Sequence, residues 1–468
     1  MDKAIRDEAG MRGTAAESRQ FVIIRYFALK SPVCLQLGAR RLKKAALIAW
    51  LAAAGLALNS CSSGPSIPKP PSGLYQRVLA SQDVSSLTSA GGLFIINGQL
   101  DELALVSPIS AGISPEMMVL SPTRARLLAF DAAATSSEVE IIDTKTESNL
   151  GSIPLPGPTT SMVLPATEQF GYAAVPTAPL QGAAPGAVVI MDLRNATIAF
   201  TVSVPGVQTV VANSNGTQLL AFSSDSDAVT IITPNLGSAG SNIVTATTTT
   251  VPGFDRPVYA FFNGSTAYIL NCGAECGGTQ ASVQILNLLP TPSAGAAVPV
   301  EGATMGLING STLYVAGTPP TNNACTGEKT AATTCGRLDL VDLVSMNVVG
   351  SAVITDGYHT VMSISANGQL FIGSTSCTTI GNVNAPRGEV RGCLSIYNST
   401  NGEVVIPPDN GDVTDLQSFS TRYVEYVAEG GNLRVYDTTQ DALLVDQYIN
   451  GTIAIAGKIY GVKAIDFF

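Results

Sequence analysis

Short alternating runs of apolar and polar residues, each five or six residues long, recur from about residue 77 to the end of the chain. After Cys61 no stretch keeps an i, i+3, i+4, i+7 apolar pattern for three turns, so strands and not helices are predicted. Gly112, Gly157, Gly206, Gly253, Gly302, Gly357, Gly411 and Gly451 punctuate these runs at intervals of 45, 49, 47, 49, 55, 54 and 40 residues. A beat of roughly 40–50 residues built from short strands is the signature of a β-propeller blade.

Each repeat divides into four strands, a to d. The b strands are placed at 77–81, 127–131, 171–175, 218–223, 266–270, 312–316, 369–373 and 423–428. Seven a strands precede the last seven of these. The first repeat has none of its own, and 452–456 is expected to supply it and close the ring, leaving 458–468 as an extra edge strand. The fold class expected is therefore all-β: a propeller of four-stranded blades, eight favoured and seven the alternative, closed by a C-terminal strand. Asn215-Gly216, Asn263-Gly264, Asn309-Gly310 and Asn367-Gly368 sit at the a–b turns. Asn-Gly in a two-residue hairpin predicts a type I′ turn, in which both positions have φ > 0.

Strand c often runs into an Asp-Thr type turn: Ile142-Asp143-Thr144, Tyr436-Asp437-Thr438 and, in variant form, Tyr397-Asn398-Ser399. These segments resemble the bacterial YVTN-type surface propeller repeat, which is similar to the repeats of lactonase-like propellers. The resemblance implies the fold. It supplies no catalytic set, because no lactonase-like residues can be matched to positions here. The Asp side chain can also accept backbone N–H bonds within the turn, which gives it a structural role. Quinoprotein propellers carry a Trp in each blade motif, whereas the one Trp here is Trp50, so no quinone or other cofactor is expected.

The N-terminal region has a different character. Arg40, Arg41, Lys43 and Lys44 precede an apolar run that ends in Leu58-Asn59-Ser60-Cys61. That arrangement is a secretory signal too short for a span, and it resembles a bacterial lipoprotein signal. The resemblance implies lipidation at Cys61 and, with Ser62 following, outer-membrane or periplasm-facing sorting. The organisation expected is 1–41 as a leader outside the native protein (translation starting near Leu42), 42–60 as signal peptide, 61–73 as a Pro/Ser/Gly tether and 74–468 as propeller.

Charge and cysteine usage sharpen the picture. Residues 1–60 hold ten Lys/Arg and four Asp/Glu, leaving 15 against 31 in the rest. A body so acidic disfavours nucleic acid as a partner. Besides Cys34 and Cys61, six Cys fall in local pairs: Cys272/Cys276, Cys325/Cys335 and Cys377/Cys393. In an exported chain these read as three loop-closing disulfides. Metal binding is the rival, with unequal spacings and no nearby His against it, and no metal is expected.

The b–c loops at 271–280, 318–336 and 374–392 are long, Gly-rich and Cys-bearing, which suits a recognition rim. Asp255, Arg256, Asp356, Tyr358, His359, Asp412 and Asp415 fall near the expected channel mouth, where they form a candidate ligand site. No catalytic residue is assigned, and Asp225 and Asp227 read as turn formers. The function expected is a membrane-anchored, non-enzymatic binding or scaffold protein of the cell envelope, with a protein, peptide or glycan partner. The alternative is a periplasmic lactonase-like hydrolase acting at the channel mouth.

Overall fold

A computed structural model describes residues 69–466, apart from 84–90, 134–135, 181, 183, 238–243, 322, 326–332, 382–389, 409 and 446–449. The expected leader, signal, Cys61 and most of the tether lie outside the described residues. Eight antiparallel sheets follow one another along the chain, and in each the strands run a to d outward from a central channel. The protein is an eight-bladed β-propeller. Its inner strands are Pro115–Leu120, Ser161–Val163, Val207–Ala212, Pro257–Asn263, Met305–Asn309, Tyr358–Ile364 and Val413–Ser418 in blades 2 to 8, and Lys458–Ile465 in blade 1.

The b strands explain why the sheets stack radially. Phe170–Val175 is buried at every position, as is Val424–Glu429, so both faces of these strands are covered. A strand buried on both faces needs an apolar neighbour on each side. The buried side chains accordingly form eight clusters, one at each blade–blade interface, from Leu79, Leu93 and Leu127 between blades 1 and 2 round to Val78, Phe419 and Val435 between blades 8 and 1. Hydroxyls tie inner strands across the same seams. Ser161 Oγ donates to the Val210 carbonyl (3.4 Å), Thr160 Oγ1 to the Gln208 carbonyl (2.6 Å) and Thr414 Oγ1 to the Tyr460 carbonyl (2.5 Å).

Closure follows the expected scheme with a different strand. Lys458–Ile465, not 452–456, supplies the inner strand of blade 1, pairing antiparallel with Arg77–Asp83. Thr452–Ile453 pairs instead with Asn432–Asp437, on the outside of blade 8. The physical reason lies in Gly457, whose φ of +95° turns the chain inward, and in the longer apolar alternation after it, where Ile459, Val462 and Ala464 are all buried.

The a–b turns also depart from expectation. At Asn263-Gly264 and Asn309-Gly310 only the glycine has positive φ (+60° and +62°), and the two-residue loops are Gly264-Ser265 and Gly310-Ser311. Glycine in the first loop position with a φ-negative successor fits type II′, not type I′. At Asn215-Gly216 and Asn367-Gly368 the Gly N–H closes a turn onto Asn213 and Ser365 (both 3.0 Å), with Gly as the left-handed residue that follows.

The c–d turns behave as the Asx chemistry predicts. The Asp143 carboxylate accepts N–H bonds from Lys145 and Thr146 (both 2.9 Å), and Asp192, Asp342, Asn398 and Asp437 accept bonds from the residues two or three ahead of them. Four residues after the Asx the chain turns left-handed, at Glu147, Ala196, Met346, Gly402 and Asp441.

Candidate functional site

On one face, the d–a turns that begin each inner strand lie beside the b–c loops. All three Cys pairs in those loops are disulfides: Cys272–Cys276, Cys325–Cys335 and Cys377–Cys393, on the consecutive blades 5, 6 and 7. Three disulfides of this kind indicate an oxidising, extracytoplasmic location. The first closes a single 3-10 turn, Gly273–Cys276, which ends at the left-handed Gly277.

Asp255, Asp356 and Asp412 share one task, which is to join d–a turns to b–c loops. Asp255 accepts the backbone N–H groups of Thr279 (3.0 Å) and Gln280 (2.7 Å) and the Thr279 hydroxyl. Burial pushes its carboxyl up, but these bonds and the neighbouring Arg256 outweigh that and hold it below the usual carboxylate range. Asp356 accepts Thr378 N–H (2.8 Å), Thr378 Oγ1 (2.7 Å) and the Thr334 hydroxyl, and pairs with Arg391 at 3.4 Å. Its carboxyl is likewise held low, the bonds from Thr334 and Thr378 and the charge of Arg391 overcoming burial. Asp412 accepts Ser376 N–H at 2.7 Å. Asp415 lies further along its strand and binds Lys463 Nζ at 2.6 Å and Val462 N–H at 2.8 Å, across the closure seam.

His359 is fully buried between blades 6 and 7, its Nε2 3.1 Å from the Thr355 carbonyl and its Nδ1 without a partner. Nε2–H donates to that carbonyl, and burial favours the neutral ring. Burial drives its pKa down to about 4, against the smaller opposing pulls of the Thr355 carbonyl and Asp356. A group whose folded pKa is depressed contributes stability that is fully present above its unfolded value, about 6.5, and is lost as pH falls toward 4. Wild-type protein is therefore expected to lose about 2–3 kcal/mol more than His359→Gln between pH 6.5 and 4.5, at roughly 1.4 kcal/mol per pH unit. Urea unfolding at both pH values checks this, and equal losses in the two proteins would refute it.

Two residues outside the predicted set complete the rim. Glu275, inside the Cys272–Cys276 turn, accepts Thr318 N–H of blade 6 at 2.9 Å. Burial pushes its carboxyl up to about 7, moderated by that bond. Arg391, fully buried, donates to the Thr334 carbonyl (3.1 Å) and lies 3.8 Å from the Cys325 sulfur, so it spans the second and third disulfide loops. The available signal was positional: each is a charged residue inside or flanking a predicted disulfide loop. Thr318 extends the chain of contacts, its hydroxyl donating to the Gly357 carbonyl of blade 7 at 2.8 Å.

Arg256 and Tyr358 face elsewhere. Together with Asp225, Gln208 and Tyr259 they line a cavity of about 720 Å³ that enters the central channel from the loop face. Burial and then the nearby Glu275 push the Tyr358 hydroxyl up. The structure thus divides the seven predicted residues: three brace loops, one crosses the seam, and three line the cavity, among them His359, which is itself fully buried.

No protein-family model matches the chain, and no curated protein is similar to it in sequence. Among solved structures it is similar to the dihydro-heme d1 dehydrogenase NirN in complex with DHE, at TM-score 0.56 and 12% identity over 87% of this chain and 78% of that one. It is similar to the C-terminal WD40 domain of Sif2 at TM-score 0.52 and 8% identity, over 76% and 90%. A candidate 6-phosphogluconolactonase from Bacteroides fragilis gives TM-score 0.48 and 12% identity, over 83% and 97%. The first two likenesses show the propeller fold, and chemistry has to be argued from the site.

Proposed function

We propose that this chain is a membrane-anchored, non-enzymatic binding or scaffold propeller of the bacterial cell envelope, whose rim of disulfide-braced loops receives a protein, peptide or glycan. The observation that carries the reading is the cross-bracing of the rim. Blades 5, 6 and 7 each hold a disulfide in the same loop, and Glu275–Thr318, Thr318–Gly357 and Arg391–Thr334 join neighbouring loops. Loops fixed before a partner arrives bind with a smaller ordering cost. Asp255, Asp356 and Asp412, on which a hydrolytic site would draw, are engaged in that bracing. The anchor belongs to the same proposal and rests on the lipoprotein-like signal ending at Cys61.

Replacing the loops of blades 6 and 7 by short hairpins should abolish capture of an envelope partner by the lipidated protein, with the thermal unfolding midpoint confirming an intact ring. Undiminished capture would count against the rim. A Cys61→Ala protein that still partitions with membranes would count against the anchor.

A further inference from the structure

We propose that the loop-face mouth of the central channel is a saccharide-binding site, with Arg256 and Asp225 hydrogen-bonding sugar hydroxyls and Tyr358 offering its ring to the sugar's apolar face. The inference names the ligand class for the binding face put forward above, and rests on that reading.

Arg256 starts the argument. Its backbone is left-handed (φ +55°) and its N–H is fixed on the Asp227 carboxylate at 3.2 Å. That turn fixes where the side chain starts. The guanidinium meets carboxylates only loosely: Nη1 lies 3.8 Å from Asp225 and Nε 3.8 Å from Asp227, beyond hydrogen-bond reach. Nε is buried and has no hydrogen-bond partner. That atom is closed to solvent, whereas the side chain as a whole is 22% exposed and lines the cavity, so the remaining guanidinium donors are the ones a ligand's acceptors meet.

The surroundings decide the ligand class. The Asp225 side chain is 89% exposed and, when ionised, is an acceptor only. An anion drawn to Arg256 meets two carboxylates within 4 Å of the guanidinium, and a cation drawn to Asp225 meets the guanidinium itself. A neutral ligand whose adjacent groups each donate and accept satisfies both, and vicinal hydroxyls do so. The exposed Gln208 amide on the neighbouring inner strand again offers a donor and an acceptor together. Tyr358 is 45% exposed at the same mouth, presenting an aromatic face beside a polar tip. The cavity, about 720 Å³, lies within the range of small-ligand pockets.

The test is a printed array of neutral, N-acetylated and acidic glycans, probed with the full-length protein and with Arg256→Gln, Asp225→Asn and Tyr358→Ala. At least one neutral or N-acetylated glycan should bind, and each substitution should weaken it tenfold or more with the thermal midpoint unchanged. Binding to no glycan, binding confined to acidic glycans, or binding indifferent to all three substitutions would overturn the inference. The hairpin-graft protein separates the two proposals. If it loses its envelope partner while the wild-type protein binds no glycan, only the saccharide site falls. If glycans bind and grafting leaves partner capture intact, only the rim falls.

Discussion

Removing residues 458–468 is expected to abolish cooperative folding of the whole ring. Ile459, Val462 and Ile465 have exposures of 0–1%, and burying each such side chain contributes about 1.5–3 kcal/mol. Their sum is comparable to the 5–15 kcal/mol that separates a native domain from its unfolded state. The same segment carries Lys463 to Asp415 (2.6 Å), the Tyr460 carbonyl to Thr414 (2.5 Å) and the Ala464 carbonyl to Arg124 (2.5 Å), so it seals blade 1 to blades 8 and 2 together. Without it Arg77–Asp83 becomes an open edge beside the channel, a template for aggregation. The truncated chain should lose its near-ultraviolet circular dichroism and its sharp urea transition, and a synthetic peptide spanning 457–468 should restore both. A truncated protein unfolding at the wild-type urea midpoint would show that closure rests elsewhere.

The correct closing strand was available in the glycine beat. Measured from Gly411, Gly451 gives an interval of 40 residues, whereas Gly457 gives 46, inside the range of the other repeats. Gly457 also shares its left-handed backbone (+95°) with Gly112, Gly253, Gly357 and Gly411 (+86° to +98°), which begin inner strands, while Gly451 lies on the outer side of blade 8. Strand positions were legible because most b-strand positions are buried and apolar, and the c–d turns because Asx capping is local. The type of the Asn-Gly turns was not legible. That dipeptide serves a two-residue loop at Gly264 and a longer one at Gly216, and loop length depends on strand register.

The candidate site was legible only as a region. Asp255, Asp356 and Asp412 sit in d–a turns, but their partners Thr279, Thr378 and Ser376 come from b–c loops, and for Asp412 from the preceding blade. Glu275 and Arg391 owe their character to contacts with the adjoining blade, Thr318 in one case and Thr334 in the other. No spacing rule within a repeat reports on contacts between repeats. The order of the blades does: once consecutive blades are known to touch, Glu275 and Arg391, inside cysteine loops, can reach the cysteine loop of an adjoining blade, the following one for Glu275 and the preceding one for Arg391.

That geometry makes Asp356→Ala the most damaging single change expected at the rim. Asp356 receives bonds from both the blade 6 loop, through Thr334, and the blade 7 loop, through Thr378, and its charge sits beside Arg391, which is fully buried and cannot shed its proton. Taking one partner from a buried ion pair costs about 3–5 kcal/mol, because the remaining charge stays desolvated. Arg391→Met should cost less, since Asp356 keeps its hydroxyl and amide donors and a carboxyl can take up a proton. The double substitution should therefore be less damaging than Asp356→Ala alone, and a double-mutant cycle in urea at pH 7 measures the difference. Additive losses would mean that the two side chains act independently. A coupling of 1 kcal/mol or more would mean that the second and third disulfide loops are held as one unit, with their relative position set by a charge pair and not by the disulfides, each of which closes only its own loop.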